Sequence, residues 1–351
     1  MAKKSKQKAA AKKASPKKSA KKPKVKKPSS GISFGQRMKS AFSFSKSRGD
    51  GTPNDDLYLD MLDSGLLDEG NQGNPVHPDV AEAEAEIPFE MSEAAAQQWP
   101  EARLNIVQDI WGKDFLKPGG AADVIDLVRP LALNSDHTVL DIGAGLGGSS
   151  RTIANETGAW VSGFEANADL AEAAMQLSKM AGMTRKAPVA ALPPEGPNMK
   201  PKSVNAMFSK EALYKIEDKE TLFSSIDTIL RPHGQIMLTD YVAAQENMDS
   251  PELQVWSAQE RTPAHLWTTD SYRSYFEGNG YDVRVAEDIT DKYYSKVVNG
   301  FSLFSNTIKT FRGNKEMEEW SIREAEFWVR RMAPFEAGDL RVCRVFAQKG
   351  A

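Results

Sequence analysis

Cysteine is nearly absent. Cys343 stands alone among 351 residues, which excludes an internal disulfide and any thiolate-built metal site, so no metal is expected. Long apolar runs are missing too: no stretch approaches the roughly 18 consecutive apolar residues of a membrane span, and the first residues lack the apolar centre of a secretory signal. The expectation is a soluble, cytoplasmic chain. Acidic residues are missing from the first 48 positions, which carry thirteen lysines up to Lys27 and then Arg37, Lys39, Lys46 and Arg48.

Those seventeen cations leave 28 basic residues against 48 acidic ones in the rest of the chain, so the overall net charge of −3 describes neither part. A Lys/Ala/Pro/Ser tract has too little apolar surface to offset its chain entropy, and residues 1–48 are expected to be a disordered basic tail. Such a polycation suits an anionic membrane surface, nucleic acid or an acidic protein face. Aromatic and aliphatic residues among the later cations (Ile32, Phe34, Met38, Phe42, Phe44) add a peripheral membrane contact to those options. Residues 49–87 read as an acidic flexible linker rich in Gly, Pro and Asn.

From residue 88 to 351 the sequence is globular. Apolar strand candidates at His137–Ile142, Trp160–Phe164, Val189–Leu192, Val204–Phe208 and Gln235–Leu238 alternate with helical patterns such as Ala168–Met180 and Lys219–Leu230. This alternation predicts an α/β, Rossmann-like parallel sheet with helices on both faces and ligands at the carboxyl ends of the strands. Beyond Asp240 the expectation is an insertion over Val242–Thr268, a helix at Asp270–Glu277, and strands at Tyr281–Val285 and Leu340–Gln348.

The segment Asp141-Ile-Gly143-Ala-Gly145-Leu-Gly147-Gly148 follows a strand and opens a helix. Its glycines alone would also fit a dinucleotide fingerprint, and Glu165, ending the next strand, would hold a ribose hydroxyl pair in either case. Asp141 separates the readings. A carboxylate there would repel a pyrophosphate, whereas it suits the cationic sulfonium and ammonium of S-adenosyl-L-methionine. The polar strand end Thr239-Asp240-Tyr241 likewise differs from an apolar nicotinamide slot.

Across residues 111–348 the chain resembles the phosphoethanolamine N-methyltransferases, a class I S-adenosylmethionine-dependent family. The matching pieces are Trp111-Gly112, Gly119-Gly120, the glycine segment, Ser209-Lys-Glu211-Ala212, Thr239-Asp240-Tyr241 and Asp288-Ile-Thr-Asp291-Lys-Tyr293. The resemblance implies methyl transfer to nitrogen. Its cofactor residues would be Asp141, Gly143, Gly145, Gly147, Glu165 and Ser209. Glu211 and Tyr241 would contact the substrate. Phe115 and Lys215 stand where the family has a catalytic tyrosine and histidine, leaving Lys215 as candidate base. Arg261, Lys292 and Lys296 fall where it grips phosphate. The stretch Val189-Ala-Ala-Leu-Pro-Pro has no acid where the family's adenine-binding aspartate follows the third strand.

The expected substrate is a small amine or a phosphobase or lipid headgroup. Two other readings stay open: methylation of a protein or nucleic acid, and a non-catalytic binding or scaffold role.

Overall fold

The computed structural model describes residues 99–246, 250–260 and 263–351. The basic tail, the acidic linker and Arg261 lie outside the described residues.

Seven strands form one sheet in the order β3-β2-β1-β4-β5-β7-β6. β1 (Thr138–Ile142), β2 (Trp160–Glu165), β3 (Val189–Ala191), β4 (Val204–Lys210) and β5 (Leu230–Ala243) are mutually parallel, while β7 (Leu340–Lys349) runs antiparallel between β5 and β6 (Tyr281–Asp288). The chain winds outward from β1 through β2 to β3, then returns to start β4 on the other side of β1. Crossovers leave in opposite directions there, and a crevice opens at the carboxyl ends of β1 and β4.

Local chemistry sets the helix starts. α4 (Ala168–Met180) begins at Asn167, whose Oδ1 accepts the Leu170 N–H at 3.0 Å. α5 (Lys219–Ile229) begins at Asp218, which caps Thr221 N–H at 2.9 Å. α7 (Thr269–Gly278) opens with a reciprocal Thr268–Ser271 capping box. The remaining helices are α1 (Glu101–Trp111), α2 (Gly120–Val128), α3 (Gly148–Thr157), α6 (Pro251–Gln259), α8 (Thr290–Thr307) and α9 (Lys315–Ala337).

Two strands outrun their apolar signal. β5 extends to Ala243 because β7 pairs with it from Gln235 through Ala243, satisfying the backbone of polar Thr239 and Asp240. β6 extends to Asp288 for the same reason. The expected insertion contains α6, and α8 and α9 fold back onto α1. Trp111 meets Trp328 and Phe301 edge-on at 4.9 and 5.6 Å, so α1, α8 and α9 share one core beside the sheet.

Candidate active site

A cavity of about 700 Å³ opens at the carboxyl ends of the strands. One part is walled by the glycine turn. Gly143 N–H and Ala144 N–H both donate to Phe164 O, at 2.7 and 3.1 Å, folding the turn over the end of β2. Gly143 has φ +79, and a Cβ on it would lie 2.1 Å from the Ala212 Cβ, so only glycine fits.

Glu165 stands half-buried at the end of β2 and lines the cavity. One carboxylate oxygen accepts Gly145 N–H at 2.9 Å and the other accepts Asn167 N–H at 3.0 Å. Backbone donors therefore fix its orientation while it retains acceptor capacity toward the cavity.

Asp141 has a different position from the one its chemistry suggested. It is 1% exposed and absent from the cavity wall, and its Oδ2 accepts the hydroxyls of Ser149 (2.6 Å) and Ser150 (2.7 Å). The carboxylate holds the first turn of α3 and does not line the cavity. Burial raises its pKa, and the two serine bonds oppose that rise. Ser209 is also turned away: fully buried, it donates to Ile142 O at 2.9 Å across the β4–β1 pairing. Gly147 leaves room for Arg151, whose guanidinium would sit 2.6 Å from a Cβ there, and packs outside the cavity.

Glu211, Lys215 and Tyr241 line the same cavity, and Ala212, next to Glu211, lies against the glycine turn. Glu211 is 4% exposed and has the left-handed φ of +41. Its oxygens accept Thr239 Oγ1 at 2.7 Å and Lys210 Nζ at 2.8 Å. The hydroxyls of Tyr241 and Tyr293 share a short hydrogen bond, and burial pushes the Tyr241 phenol well above its ordinary pKa, so it stays protonated. Lys215 lines the cavity and is exposed to solvent. Desolvation by its surroundings lowers its pKa; Glu260 opposes the shift and Arg331 adds to it. Its Nζ sits 5.4 Å from the Tyr214 ring centre.

Phe115 packs among apolar neighbours and does not reach the cavity. The expected phosphate grip also changes. Lys296 is bonded to Asp123, which closes an ion cluster with Lys210, and Lys292 is exposed on α8 outside the wall.

The cationic side is supplied by α9. Trp320, Arg323, Glu324, Phe327, Trp328 and Arg331 all line the cavity, at the i, i+3, i+4, i+7, i+8, i+11 positions of one helical face. Arg331 makes two 2.7 Å bonds to Glu260 and lies 4.4 Å from the Phe327 ring centre and 4.8 Å from that of Trp328. Glu260 also accepts the Tyr214 hydroxyl at 3.2 Å. Burial alone would raise the Glu260 pKa, but Arg331 outweighs it and the net shift is downward. The same helical spacing is readable in Lys315–Ala337 and was the signal that sequence reasoning passed over. Lys117, also in the wall, carries no such signal.

The sheet order, the glycine turn and the fixed acid ending β2 define a class I methyltransferase fold. The methyltransferase-domain family matches residues 116–285. Phosphoethanolamine N-methyltransferase 1 of Zea mays is 23% identical over 241 residues, covering 66% of this chain and 45% of that protein. The Plasmodium falciparum phosphoethanolamine N-methyltransferase is 23% identical over 205 residues, 57% of this chain and 74% of the relative. The chain thus spans less than half the length of the maize protein.

Among solved structures, Haemonchus contortus phosphoethanolamine N-methyltransferase 2 in complex with S-adenosyl-L-methionine superposes with a TM-score of 0.64 at 18% identity, covering 75% of this chain and 61% of that one. A putative sarcosine dimethylglycine methyltransferase from Galdieria sulphuraria gives 0.57 at 17% identity, over 71% and 98% of the two chains. The expected fold and the resemblance to the phosphoethanolamine N-methyltransferases are both borne out.

Proposed function

We propose that the protein is an S-adenosylmethionine-dependent N-methyltransferase acting on a small amine that carries an anionic group, a phosphobase such as ethanolamine phosphate. One observation carries the reading: a single cavity joins Glu165 and the glycine turn to Glu211, Lys215, Tyr241 and the arginine-bearing face of α9.

The residues suit the donor. Glu165 offers a fixed carboxylate for a ribose diol, and the glycine turn leaves backbone free for close approach. When bound, S-adenosylmethionine supplies an electrophilic methyl on a sulfonium. What remains for the protein is alignment of an uncharged nitrogen, which is worth several kcal/mol by effective-molarity arguments. A primary amine with pKa near ~10 must first lose a proton, and a lysine whose own pKa is lowered can take it. Lys215 meets that requirement. The Glu211 carboxylate, lining the same cavity, attracts the cationic form of the amine, and Arg330 of α9, which also lines it, attracts its phosphate, Arg323 and Arg331 being paired with Glu319 and Glu260.

Calorimetric titration of the full chain with S-adenosylmethionine tests the donor, followed by radiolabelled methyl transfer to ethanolamine phosphate and to ethanolamine. Binding is expected, with transfer to the phosphorylated amine at least tenfold faster. No donor binding would overturn the reading. Binding without transfer to any small amine would favour the scaffold role.

A further inference from the structure

Lys117 lies in the segment joining α1 to α2 and is half-buried in the cavity wall. Its Nζ donates to Gly143 O at 3.0 Å and, through a shorter bond, to Lys210 O. Those carbonyls terminate β1 and β4, the adjacent strands whose ends form the crevice. The ammonium therefore occupies the floor of the switch point. Burial lowers its pKa, and Glu211, Glu165 and Asp141 oppose that shift while Lys210 adds to it.

The segment is latched on both sides of this lysine. Lys210 Nζ donates back to Pro118 O at 2.7 Å, and Asp114 pairs with Arg151 at 2.9 Å. The backbone on both sides of Lys117 is thus fixed, and only its side chain can leave the two carbonyls.

Two convergent carbonyls surrounded by carboxylates make a seat for one primary ammonium. An amino-acid-bearing sulfonium nucleoside presents such a group. Two ammoniums cannot share the seat, because each would lose acceptors and repel the other at contact distance.

We infer that Lys117 is a resident stand-in for the donor's ammonium, a specificity-determining residue that fills the seat in the free protein and leaves it when a ligand with an amino-acid end binds. The inference rests on the donor reading above. It makes affinity for such ligands lower than the cavity would otherwise give, by the fraction of molecules in which the seat is open.

Two ligands separate competition for the seat from a general widening of the cavity. S-adenosylhomocysteine carries the ammonium; methylthioadenosine keeps the nucleoside and thioether and lacks the amino-acid end. In calorimetry on the full chain, Lys117→Ala should bind S-adenosylhomocysteine about tenfold more tightly than the wild type, with methylthioadenosine affinity unchanged. Lys117→Met, which keeps the aliphatic stem, should shift the same way to a smaller extent and guards against a folding defect in the alanine variant. In the wild-type chain, mass-spectrometric acetylation of Lys117 should rise on adding S-adenosylhomocysteine and not on adding methylthioadenosine.

Equal or weaker S-adenosylhomocysteine binding by the variants overturns the inference, as does a parallel gain for both ligands or protection of Lys117 by S-adenosylhomocysteine. Absence of binding by wild type and variants alike overturns the donor reading and the inference together.

Discussion

Replacing Asp141 distinguishes a carboxylate that touches the donor from one that holds the glycine turn. The Oδ2 of Asp141 accepts two serine hydroxyls at 2.6 and 2.7 Å, and Ser150 is fully buried whereas Ser149 is half-buried. In Asp141→Ala the Ser149 hydroxyl can turn to water, but Ser150 is left unpaired, at a cost of about 1–3 kcal/mol. Removing a buried charge returns part of that, so the net loss should be about 0.5–2 kcal/mol. For a domain of this size each kcal/mol lowers Tm by roughly 2–4 °C, giving a fall of about 1–8 °C. Asp141→Asn retains an acceptor oxygen for the serines and should lower Tm by only about 1–3 °C. Its affinity for S-adenosylhomocysteine should stay within about threefold of wild type, because the carboxylate acts on the pocket only at a distance. Differential scanning calorimetry and titration calorimetry on the same samples decide the matter. A loss of affinity above tenfold in Asp141→Asn with an unchanged Tm would falsify the holding role and restore direct contact with the donor's cation.

Lys215→Met should slow methyl transfer to a primary amine about 10²-fold or more and move the acid limb of the pH–rate profile up toward the amine's own pKa of ~10, since a base works only above its pKa and desolvation has lowered that of Lys215; a slower rate with an unaltered profile would rule out the base. Arg331→Met leaves buried Glu260 without its cation and should cost about 3–5 kcal/mol of stability in urea, most of it recovered when Glu260→Gln is added; no recovery in the double variant would contradict the pairing argument. Asp240 is buried and its pKa is raised from 3.8 to about 7 by desolvation. The folded chain therefore keeps a proton that the unfolded chain releases, so this group's contribution to stability is greatest below about pH 4 and declines as the pH rises toward 7. Asp240→Asn should flatten the stability curve over that interval, and parallel curves for the two proteins would refute the assignment.

The five parallel strands and the glycine turn were legible because short apolar runs bounded by turn residues are local signals. The strand ends were not, since the extensions of β5 and β6 depend on β7, which arrives about a hundred residues after β5. The same distinction governs the site. Glu165, Gly143, Gly145, Glu211, Lys215 and Tyr241 meet at one cavity because each ends a strand or follows one. Asp141 and Ser209 sit just as close in sequence but face inward, where their polar atoms satisfy Ser149, Ser150 and the Ile142 carbonyl. Chemical type alone could not distinguish a carboxylate that lines the cavity from one that holds a helix turn. The cations of α9 and the Glu260 that orients Arg331 were invisible as a pair, being 71 residues apart.

Backbone strain gives an independent reason to look at the edge where β4 ends. Glu211 adopts φ +41, a region that costs a residue with a side chain on the order of 1–3 kcal/mol and that glycine would occupy freely. The strained turn is fixed by the Glu211 N–H bond to Thr239 O at 2.7 Å, and it puts both carboxylate oxygens against the Thr239 hydroxyl and Lys210 beside the cavity. If the turn alone mattered, Glu211→Gly would relieve the strain and keep the activity. Glu211→Gly also leaves the buried Lys210 ammonium and the Thr239 hydroxyl without their carboxylate partner, which outweighs the relieved strain, so Tm should fall. Under the proposed function it should abolish acceptor binding as well, measured as the loss of ethanolamine phosphate affinity in the presence of S-adenosylhomocysteine, and an unchanged affinity would refute the role of the charge.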